Sequence, residues 1–400
     1  MPRLALFAAI ACLSVAGCGG GSNSSSNGGS NNNGGSAQNV APISVNGGPT
    51  GNYANGVFTS VTVCVPGTST CQSIDDVLVD TGSVGLRILA SGSAGGPLTL
   101  TLPQENSTSG NPLVECAQFA DGFTWGPVKN ADIKIAGEQA SSVPIQVIGD
   151  PAFPAPAAAC TSASSPNLST LNKLMANGIL GVGLGRHDCG TCTGFYFACS
   201  STSNCQETAT TLPQQVQNTV WLFPPPDNNG VLVQLPAIAP GAPSASGSLI
   251  FGIGTQSNNA LGNATILDVD SHGSITTTFN GTAHPGSFID SGSNGIFFLN
   301  QTDTGMPPCS GSATDFYCPT APSTRSFTAT HQARSGPSTV NFSVTNAQTL
   351  FNSSNRAFSQ LAGPNPGIFD WGLPFFFGRT VFTAIVGQNT PAGPGPYVAY

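Results

Sequence analysis

The sequence has 400 residues, and its 10 Lys and Arg against 18 Asp and Glu give a formal net charge of −8 at pH 7. This acidic balance argues against nucleic acid or anionic lipid as a partner held by charge. Charged residues make up only 7 % of the chain, whereas Gly (50) and Pro (32) are abundant, so strands and turns are favoured over helices. The length suits two domains or one large bilobal unit.

The first 17 residues are typical of a signal segment. Their apolar core, Leu4 to Ala16, is too short to span a membrane and ends in Val15-Ala16-Gly17-Cys18, which resembles a bacterial lipobox. The resemblance implies a mature protein that begins at Cys18, carries lipid there and is anchored to the bacterial cell envelope. Gly19, where an Asp is absent, implies sorting to the outer membrane. The alternative is an ordinary secretory signal with an incidental cysteine.

Residues 18–38 are expected to form a tether rich in Gly, Ser and Asn. Such residues cannot bury enough apolar surface to order themselves. Residues 41–76 then predict a strand, a turn and a hairpin closed by Cys64 and Cys71, and the segment VTVCV alternates as a strand does. The folded part is therefore expected to begin near residue 39.

A four-residue motif occurs twice, each time after an apolar run. VLVDTGSVGLRIL (77–89) contains the first copy, and SFIDSGSNGIFFL (287–299) contains the second. The two segments agree over ten positions as D-[TS]-G-S-x-G-[LI]-x-[IF]-L, with Asp80 matched to Asp290. This repeat predicts a fold built from two related halves, each presenting one carboxylate at the end of a rigid strand.

The two copies resemble the D-[TS]-G-[ST] loops of the pepsin-like aspartic peptidases. The resemblance implies an all-β, bilobal pepsin-like fold, with residues 39–254 and 255–400 as the two lobes and a catalytic cleft between them. It implies that Asp80 and Asp290 are catalytic, because two carboxyls at close range share one proton and can activate a water molecule. Hydroxyls of the loops are expected to bond beneath the pair and to its outer oxygens. The supporting residues are then Thr81, Gly82, Ser83, Ser291, Gly292 and Ser293.

Residues 113–150 predict a long hairpin with Gly near its tip. In the pepsin-like family the corresponding hairpin is a flap that carries Tyr-Gly-x-Gly. The best match here is Phe119-Ala120-Asp121-Gly122, and Arg87 stands where the family commonly has a Trp bonded to the flap Tyr. We therefore assign Phe119, Gly122 and Arg87 to the flap and substrate-binding region and expect the flap to be held differently. The alternative is that Phe119 and Trp125 are hairpin packing residues.

A second repeat supports the two halves. Gly178-Ile179-Leu180-Gly181 resembles the apolar-apolar-Gly strand that crosses behind the catalytic loop in this family, and its counterpart is WGLPFFFGR, 371–379. Buried strands whose glycines permit close backbone approach are the alternative, and they predict the same architecture. The segment WGLPFFFGRTVFTAI also resembles an uncharacterised bacterial lipoprotein family of unknown function.

Ten cysteines remain after Cys12 leaves with the signal segment and Cys18 takes the lipid. An even number outside the cytosol favours disulfides. The expected pairs are Cys64–Cys71, Cys116–Cys160 and Cys309–Cys318. The pairing of the other four is open: Cys189, Cys192, Cys199 and Cys205. With His187 these four could instead bind zinc, but only Cys189-x-x-Cys192 has the spacing of a zinc knuckle, so disulfides are favoured and no metal is expected.

The remaining segments predict connections and closing strands. Short helices are expected within residues 168–178 and near Ser353–Leu361, and one hairpin, VWLF to VLVQL, is expected among the surface loops of residues 187–245. GSLIFGIG, 247–254, resembles the strand that closes the first lobe of the pepsin-like family.

Two functions are compatible with these patterns. The first is an aspartic-type endopeptidase that hydrolyses a peptide or protein substrate at the cell surface or in the periplasm, without a cofactor or a covalent intermediate. The second is a non-catalytic lipoprotein of the same fold that binds peptide or polysaccharide, which the flap substitutions favour. The sequence lacks the G-x-S-x-G, H-E-x-x-H and G-x-x-x-x-G-K-[ST] motifs, which argues against the corresponding hydrolases and nucleotide-binding proteins. We expect a monomer.

Overall fold

The structure, a computed structural model, describes residues 38–161, 166–189 and 194–400. The predicted signal segment, the lipid-bearing Cys18, most of the tether and Cys192 lie outside these residues. No helix in the described parts of the chain is both long and apolar enough to cross a membrane.

The first half of the chain is built from strands in which β-branched and other apolar side chains alternate with polar ones. These strands are β1 (Val40–Asn46), β2 (Gly56–Cys64), β3 (Cys71–Asp80), β4 (Val84–Leu89), β5 (Leu113–Phe119), β6 (Gly122–Ile135), β7 (Glu138–Ile148), β8 (Gly178–Val182), β9 (Tyr196–Ser201), β10 (Asn204–Glu207), β11 (Gly230–Leu235) and β12 (Ala245–Phe251). The helices of this half are α1 (Ala158–Thr161) and α2 (Leu171–Leu174). The helix predicted within residues 168–178 is therefore present as a single turn.

The second half is built in the same way. Its strands are β13 (Ile266–Asp268), β14 (Ile275–Phe279), β15 (Thr282–Ile289), β16 (Ile296–Leu299), β17 (Thr324–Ala333), β18 (Gly336–Thr345), β19 (Ala362–Gly363), β20 (Asn365–Trp371), β21 (Arg379–Ala384), β22 (Asn389–Thr390), β23 (Gly393–Pro394) and β24 (Tyr397–Ala399). Its helices are α3 (Gln301–Thr304) and α4 (Ala347–Phe351). Its core is rich in aromatic rings, with Phe298 stacked on Phe369 and Phe369 on Trp371.

One sheet of 15 strands runs through both halves of the described chain, in the order β10-β9-β5-β6-β7-β4-β8-β3-β2-β1-β12-β11-β21-β24-β13. Because β6 also pairs with β2, the strands of the first half close on themselves into a barrel-like lobe. Beyond β1 the sheet continues as an antiparallel platform to which both halves contribute strands. The second lobe has its own sheet, β18-β17-β14-β15-β20-β16-β19. The predicted all-β, bilobal fold is confirmed, and the predicted lobe boundary after residue 254 falls between β12 and β13.

The two halves repeat the same local topology around the two motifs. In the first half, β8 lies between β3 and β4, parallel to β3 and antiparallel to β4. In the second half, β20 lies between β15 and β16 with the same orientations. Each Asp-containing motif therefore follows a strand whose neighbour is the crossing strand predicted from the second repeat.

Two local predictions are wrong. The predicted hairpin between VWLF and VLVQL is absent from the described chain. VWLF contains a 3₁₀ turn, Val220–Leu222, and VLVQL lies in β11, which pairs with β12 and β21. A short apolar run does not by itself distinguish a strand from a helical turn. The helix expected near Ser353–Leu361 is instead α4, which begins earlier because Asn346 caps it by accepting a hydrogen bond from the Thr349 N–H.

The disulfides agree with the predicted pairs. Cys64–Cys71, Cys116–Cys160 and Cys309–Cys318 are bonded. In the cluster left open, Cys199 pairs with Cys205, and Cys189 is also disulfide-bonded. The Cys116–Cys160 bond attaches the predicted flap hairpin to the segment that contains α1.

Asn55 joins the two lobes through its buried side chain. Its amide nitrogen donates to the carbonyl oxygens of Asn294 (2.8 Å) and Phe358 (2.9 Å), and its amide oxygen accepts from the Phe358 N–H (2.6 Å). Its backbone has φ of 57°, a left-handed conformation that Asn tolerates better than most residues. One side chain therefore satisfies three backbone groups of the other lobe.

Replacing Asn55 with Ala is expected to lower the free energy of unfolding by about 3 kcal/mol, because buried backbone groups lose their partners and Ala disfavours the left-handed backbone. Asn55→Gly removes the same bonds without the backbone strain and should cost less. Urea denaturation followed by tryptophan fluorescence measures both. The exposed Asn352→Ala variant is the control, and an Asn55→Ala midpoint equal to that of the control would contradict the bridging role.

Candidate active site

Asp80 and Asp290 come together at the seam between the lobes. Both side chains are buried, with 0 % of either residue exposed. The Gly82 N–H donates to Oδ1 of Asp80 (2.9 Å) and to Oδ1 of Asp290 (3.0 Å), so one backbone group contacts both carboxyls. The Gly292 N–H donates to Oδ1 of Asp290 at 2.8 Å. The two motifs, 210 residues apart in sequence, thus form one site.

Only glycine fits at the two motif positions Gly82 and Gly292, because the carboxyl of the other lobe occupies the space that a side chain would need. A Cβ atom at Gly82 would lie 2.6 Å from Cγ of Asp290, and one at Gly292 would lie 2.6 Å from Oδ1 of Asp80. Both distances are shorter than real Cβ contacts. Any side chain at either position would push the carboxyl of the other lobe away.

Four hydroxyls hold the two loops. The Thr81 N–H donates to Oγ of Ser291 (3.1 Å), and the Ser291 N–H donates to Oγ1 of Thr81 (2.9 Å), so the loops exchange a reciprocal pair of hydrogen bonds. The Ser83 hydroxyl donates to Oδ2 of Asp80. The Ser293 hydroxyl lies 3.0 Å from Oδ2 of Asp290. The structure therefore brings all six supporting residues to the carboxyl pair.

The electrostatics of the pair favour a single shared proton. Burial raises the pKa of Asp80 well above its usual range, and the neighbouring charge of Asp290 raises it further. Burial also raises the pKa of Asp290, but hydrogen bonds from Asp80, Gly292, Ser293 and Gly82 oppose that rise. The hydrogen bonds therefore stabilise the charge of Asp290 more than that of Asp80. Such a pair can act as base and acid in one step.

A third carboxyl, Asp370, lies behind Asp290 and was not predicted. It sits on β20 with 0 % of the residue exposed, and the Ser293 hydroxyl is 2.7 Å from its Oδ2. The available sequence signal was a single acidic residue inside the apolar run Ile368-Phe369-Asp370-Trp371. A buried acid in such a strand needs a partner, but sequence alone did not indicate which one.

The predicted flap hairpin is formed by β5 and β6. Phe119 pairs with Gly122 across a turn made by Ala120 and Asp121. The Phe123 N–H donates to the Pro166 carbonyl (3.0 Å), and the Leu168 N–H donates to the Phe123 carbonyl (2.8 Å), so the start of β6 is attached to a neighbouring segment. Phe119 itself is buried. A direct contact of Phe119 or Gly122 with a substrate stays a prediction.

Tyr53 interacts electrostatically with Asp121 at the hairpin tip and with both carboxyls of the pair. The Tyr53 hydroxyl is buried and has no hydrogen-bond partner among the described residues. Burial, and then the charges of Asp121, Asp80 and Asp290, raise the pKa of Tyr53. Burial raises the pKa of Asp121 to about 8. The Tyr53 hydroxyl therefore lies within electrostatic reach of both the hairpin tip and the carboxyl pair.

Arg87 connects the hairpin to a neighbouring segment through buried ion pairs. Its Nη2 donates to Oε1 of Glu115 on β5 (2.6 Å) and to Oδ2 of Asp188 (3.2 Å), and its guanidinium lies 5.9 Å from the Phe119 ring centroid. Tyr196 donates its hydroxyl to Asp188 (2.7 Å). Burial alone would lower the pKa of Arg87, but the two carboxylates outweigh it and raise that pKa. Arg87 is buried in this cluster and supports the flap instead of lining an open cleft.

Within the described residues, no group of three or more His, Cys, Asp and Glu side chains is arranged to hold a metal ion. The predicted independence of metals and cofactors stays a prediction.

Replacing Arg87 with Met is expected to lower the free energy of unfolding by about 3 to 5 kcal/mol at neutral pH, because Glu115 and Asp188 would remain buried without their cation. The loss should shrink in acid, where protonation of Asp188 removes uncompensated charge, because burial and the charge of Glu115 raise the pKa of Asp188. Urea denaturation at neutral and acid pH measures both effects.

Lys129→Met provides the matched control. Lys129 pairs with Asp150 at 2.6 Å, but the two side chains are 19 % and 12 % exposed, so this change should cost about 1 kcal/mol or less. An Arg87→Met loss no larger than that of Lys129→Met would show that the buried cluster does not hold the hairpin.

Comparisons with known proteins agree with the fold. The chain is similar to the crystal structure of an aspartic proteinase from Irpex lacteus, with a TM-score of 0.51 and 14 % identity over 90 % of this chain and 96 % of that one. At this identity the likeness establishes the fold alone. No curated protein matches the sequence. The family described as "Protein of unknown function (DUF3443)" matches residues 35–400. The chain is therefore a member of this family of unknown function, with a fold similar to that of a pepsin-like aspartic proteinase.

Proposed function

We propose that the protein is an aspartic-type endopeptidase in which Asp80 and Asp290 activate one water molecule for attack on a peptide carbonyl. The observation that carries the proposal is the Gly82 N–H, which donates to both carboxyls and so holds them close together, as a shared proton requires. Two equivalent carboxyls related by a repeat suit one shared water better than two separate roles at a distance.

The unequal surroundings of the two carboxyls suggest their roles. Asp290, whose charge is stabilised by more hydrogen bonds, would take a proton from the attacking water. Asp80, which holds the shared proton, would donate it to the carbonyl oxygen as the tetrahedral intermediate forms. Asp290 then gives its proton to the leaving nitrogen while Asp80 takes back the proton from the former carbonyl oxygen. The C–N bond breaks, the carbonyl forms again, and the pair returns to its starting protonation state.

The unpartnered Tyr53 hydroxyl near the pair supports binding of a polar ligand such as a peptide. This hydroxyl is buried without a partner in the described chain. Burial of such groups is costly unless a ligand or water supplies the missing hydrogen bonds. A peptide backbone offers both donors and acceptors.

The first test is cleavage of an unfolded peptide library from acid to neutral pH, with and without pepstatin. Asp80→Asn and Asp290→Asn should each lower the cleavage rate by at least about a thousandfold, because neither variant can share a proton as the wild type does. Mass spectrometry of the products measures the rate and the specificity together.

Asp75→Asn is the matched control, because Asp75 is exposed on the same strand as Asp80 and bonds only to Ser60 among its described side-chain contacts. It should cleave at the wild-type rate. An Asp80→Asn protein that is folded and fully active would refute the proposed mechanism.

The second candidate is a non-catalytic protein that binds peptide or polysaccharide. The complete burial of both carboxyls favours it, as does the replacement of the Tyr and Trp of the family flap by Phe119 and Arg87. In that case folded wild-type protein would cleave nothing at any pH, and Asp80→Asn would leave ligand affinity unchanged.

We also propose that the protein is lipid-anchored at Cys18 in the bacterial cell envelope, at the outer membrane. Support comes from the Val15-Ala16-Gly17-Cys18 sequence and the tether that follows it.

Cys18→Ala is expected to abolish incorporation of radiolabelled palmitate in bacterial cells, because the thiol that accepts the lipid is gone. Autoradiography of the immunoprecipitated protein measures the label. Cys12→Ala, which alters the other cysteine of the signal region, should keep it. Equal labelling of the two variants would argue for an ordinary secretory signal.

A further inference from the structure

The repeat makes Asp370 the counterpart of an apolar residue in the first lobe. On β20, Asp370 is the register partner of Phe288, two residues before Asp290, and of Phe297, seven residues after it. On β8, Ile179 is the partner of Leu78 and Arg87, which stand at the same offsets from Asp80. Ile179 in the first lobe is therefore the structural equivalent of Asp370 in the second. The second lobe carries a buried carboxyl where the first lobe carries a buried hydrocarbon.

The Ser293 hydroxyl connects this carboxyl to the active pair. Its oxygen lies 3.0 Å from Oδ2 of Asp290 and 2.7 Å from Oδ2 of Asp370, and all three residues are 0 % exposed. A hydroxyl has one proton to donate, so two such short O···O contacts require a second proton. That proton must lie on Asp290 or on Asp370. In the first lobe Ser83 contacts Asp80 alone among the described carboxyls.

We propose that Asp370 is a positioning residue that exchanges a proton with Asp290 through the Ser293 hydroxyl. In one arrangement Asp370 is protonated and donates to Ser293, while Ser293 donates to ionised Asp290. In the other, the Asp370 proton has moved to the Ser293 oxygen and the Ser293 proton has moved to Asp290. One O–H bond breaks and one forms at Ser293, so its hydroxyl is unchanged and the net transfer is one proton from Asp370 to Asp290.

When this exchange protonates Asp290, Asp370 becomes ionised and lies close to the active pair. An ionised Asp370 disfavours ionisation of Asp290 and so retains protons on the pair at higher pH. The use of this exchange in turnover rests on the proposed function, whereas the exchange itself does not.

Other titratable groups of the described chain lie near the pair that Asp370 contacts through Ser293. Asp80 faces Asp290 from the first lobe, and Tyr53 lies within electrostatic reach of Asp80 and Asp290. The register partners of Asp370 on β15 and β16 are Phe residues and carry no charge. His331 on β17 packs on the adjoining Trp371, and burial lowers its pKa to about 3, so it is neutral.

Carbon-13 NMR of protein labelled at the Asp carboxyls tests the exchange without relying on activity. Signals are assigned by their loss in Asp80→Asn, Asp290→Asn and Asp370→Asn. In the wild type, Asp290 and Asp370 should titrate together in shared steps. In Asp370→Asn the Asp290 midpoint should fall by about one pH unit or more, because a neighbouring negative charge is removed. An unchanged Asp290 midpoint overturns the proposal.

Ser293→Ala serves if Asp370→Asn does not fold. It keeps both carboxyls and removes the hydroxyl that connects them, so the Asp370 signal should no longer follow the Asp290 step. Shared titration that survives Ser293→Ala also overturns the proposal.

The pH profile of kcat/KM provides the second readout. Asp370→Asn should move the alkaline limb to lower pH by about one unit. The same shift is expected on a Ser83→Ala background and not on a Ser293→Ala background, because only Ser293 contacts Asp370. A merely structural role would lower kcat/KM at every pH without moving the limb, and that result would refute the inference. Coupled titration without any cleavage would instead refute the proposed function and leave the exchange standing.

Discussion

The reciprocal hydrogen bonds between Thr81 and Ser291 are the constraint on which the site depends. Each loop satisfies a buried backbone N–H with the hydroxyl of the other loop, at 3.1 and 2.9 Å. Because both donors are buried, separating the loops would leave unsatisfied groups on each side. The shared sheet and the hydrogen bonds of Asn55 also hold the two lobes together, at positions outside the two loops. The carboxyl pair is therefore a property of the interface and belongs to neither half alone.

The two halves share a topology but differ in what surrounds their carboxyls. In the first lobe, Arg87 and Ile179 are cross-strand partners on β4 and β8, and Arg87 reaches towards the hairpin. In the second lobe the equivalent positions are Phe297 and Asp370. The charge on the first side serves the flap, whereas the acid on the second side contacts the active pair through a hydroxyl. This difference makes two carboxyls of common sequence chemically unequal.

Most of the architecture could be predicted because it rests on patterns that repeat. The D-[TS]-G-S motifs and the crossing strands each occur twice, and buried strands follow from their apolar runs. The contact of Ser293 with Asp370 could not be predicted in the same way, since it joins positions 77 residues apart and depends on the register of β20. The Arg87 cluster likewise joins three separate segments. Long-range polar contacts leave no local pattern in the sequence.

The burial of the carboxyl pair makes access to it a conformational equilibrium. Because no part of Asp80 or Asp290 is exposed, the surrounding chain must move before a ligand can reach either carboxyl. Opening gives up hydrogen bonds and buried contacts, so a bound chain has to replace them with its own. The rate of opening, and not the chemistry of the pair, would then set how quickly ligands are captured.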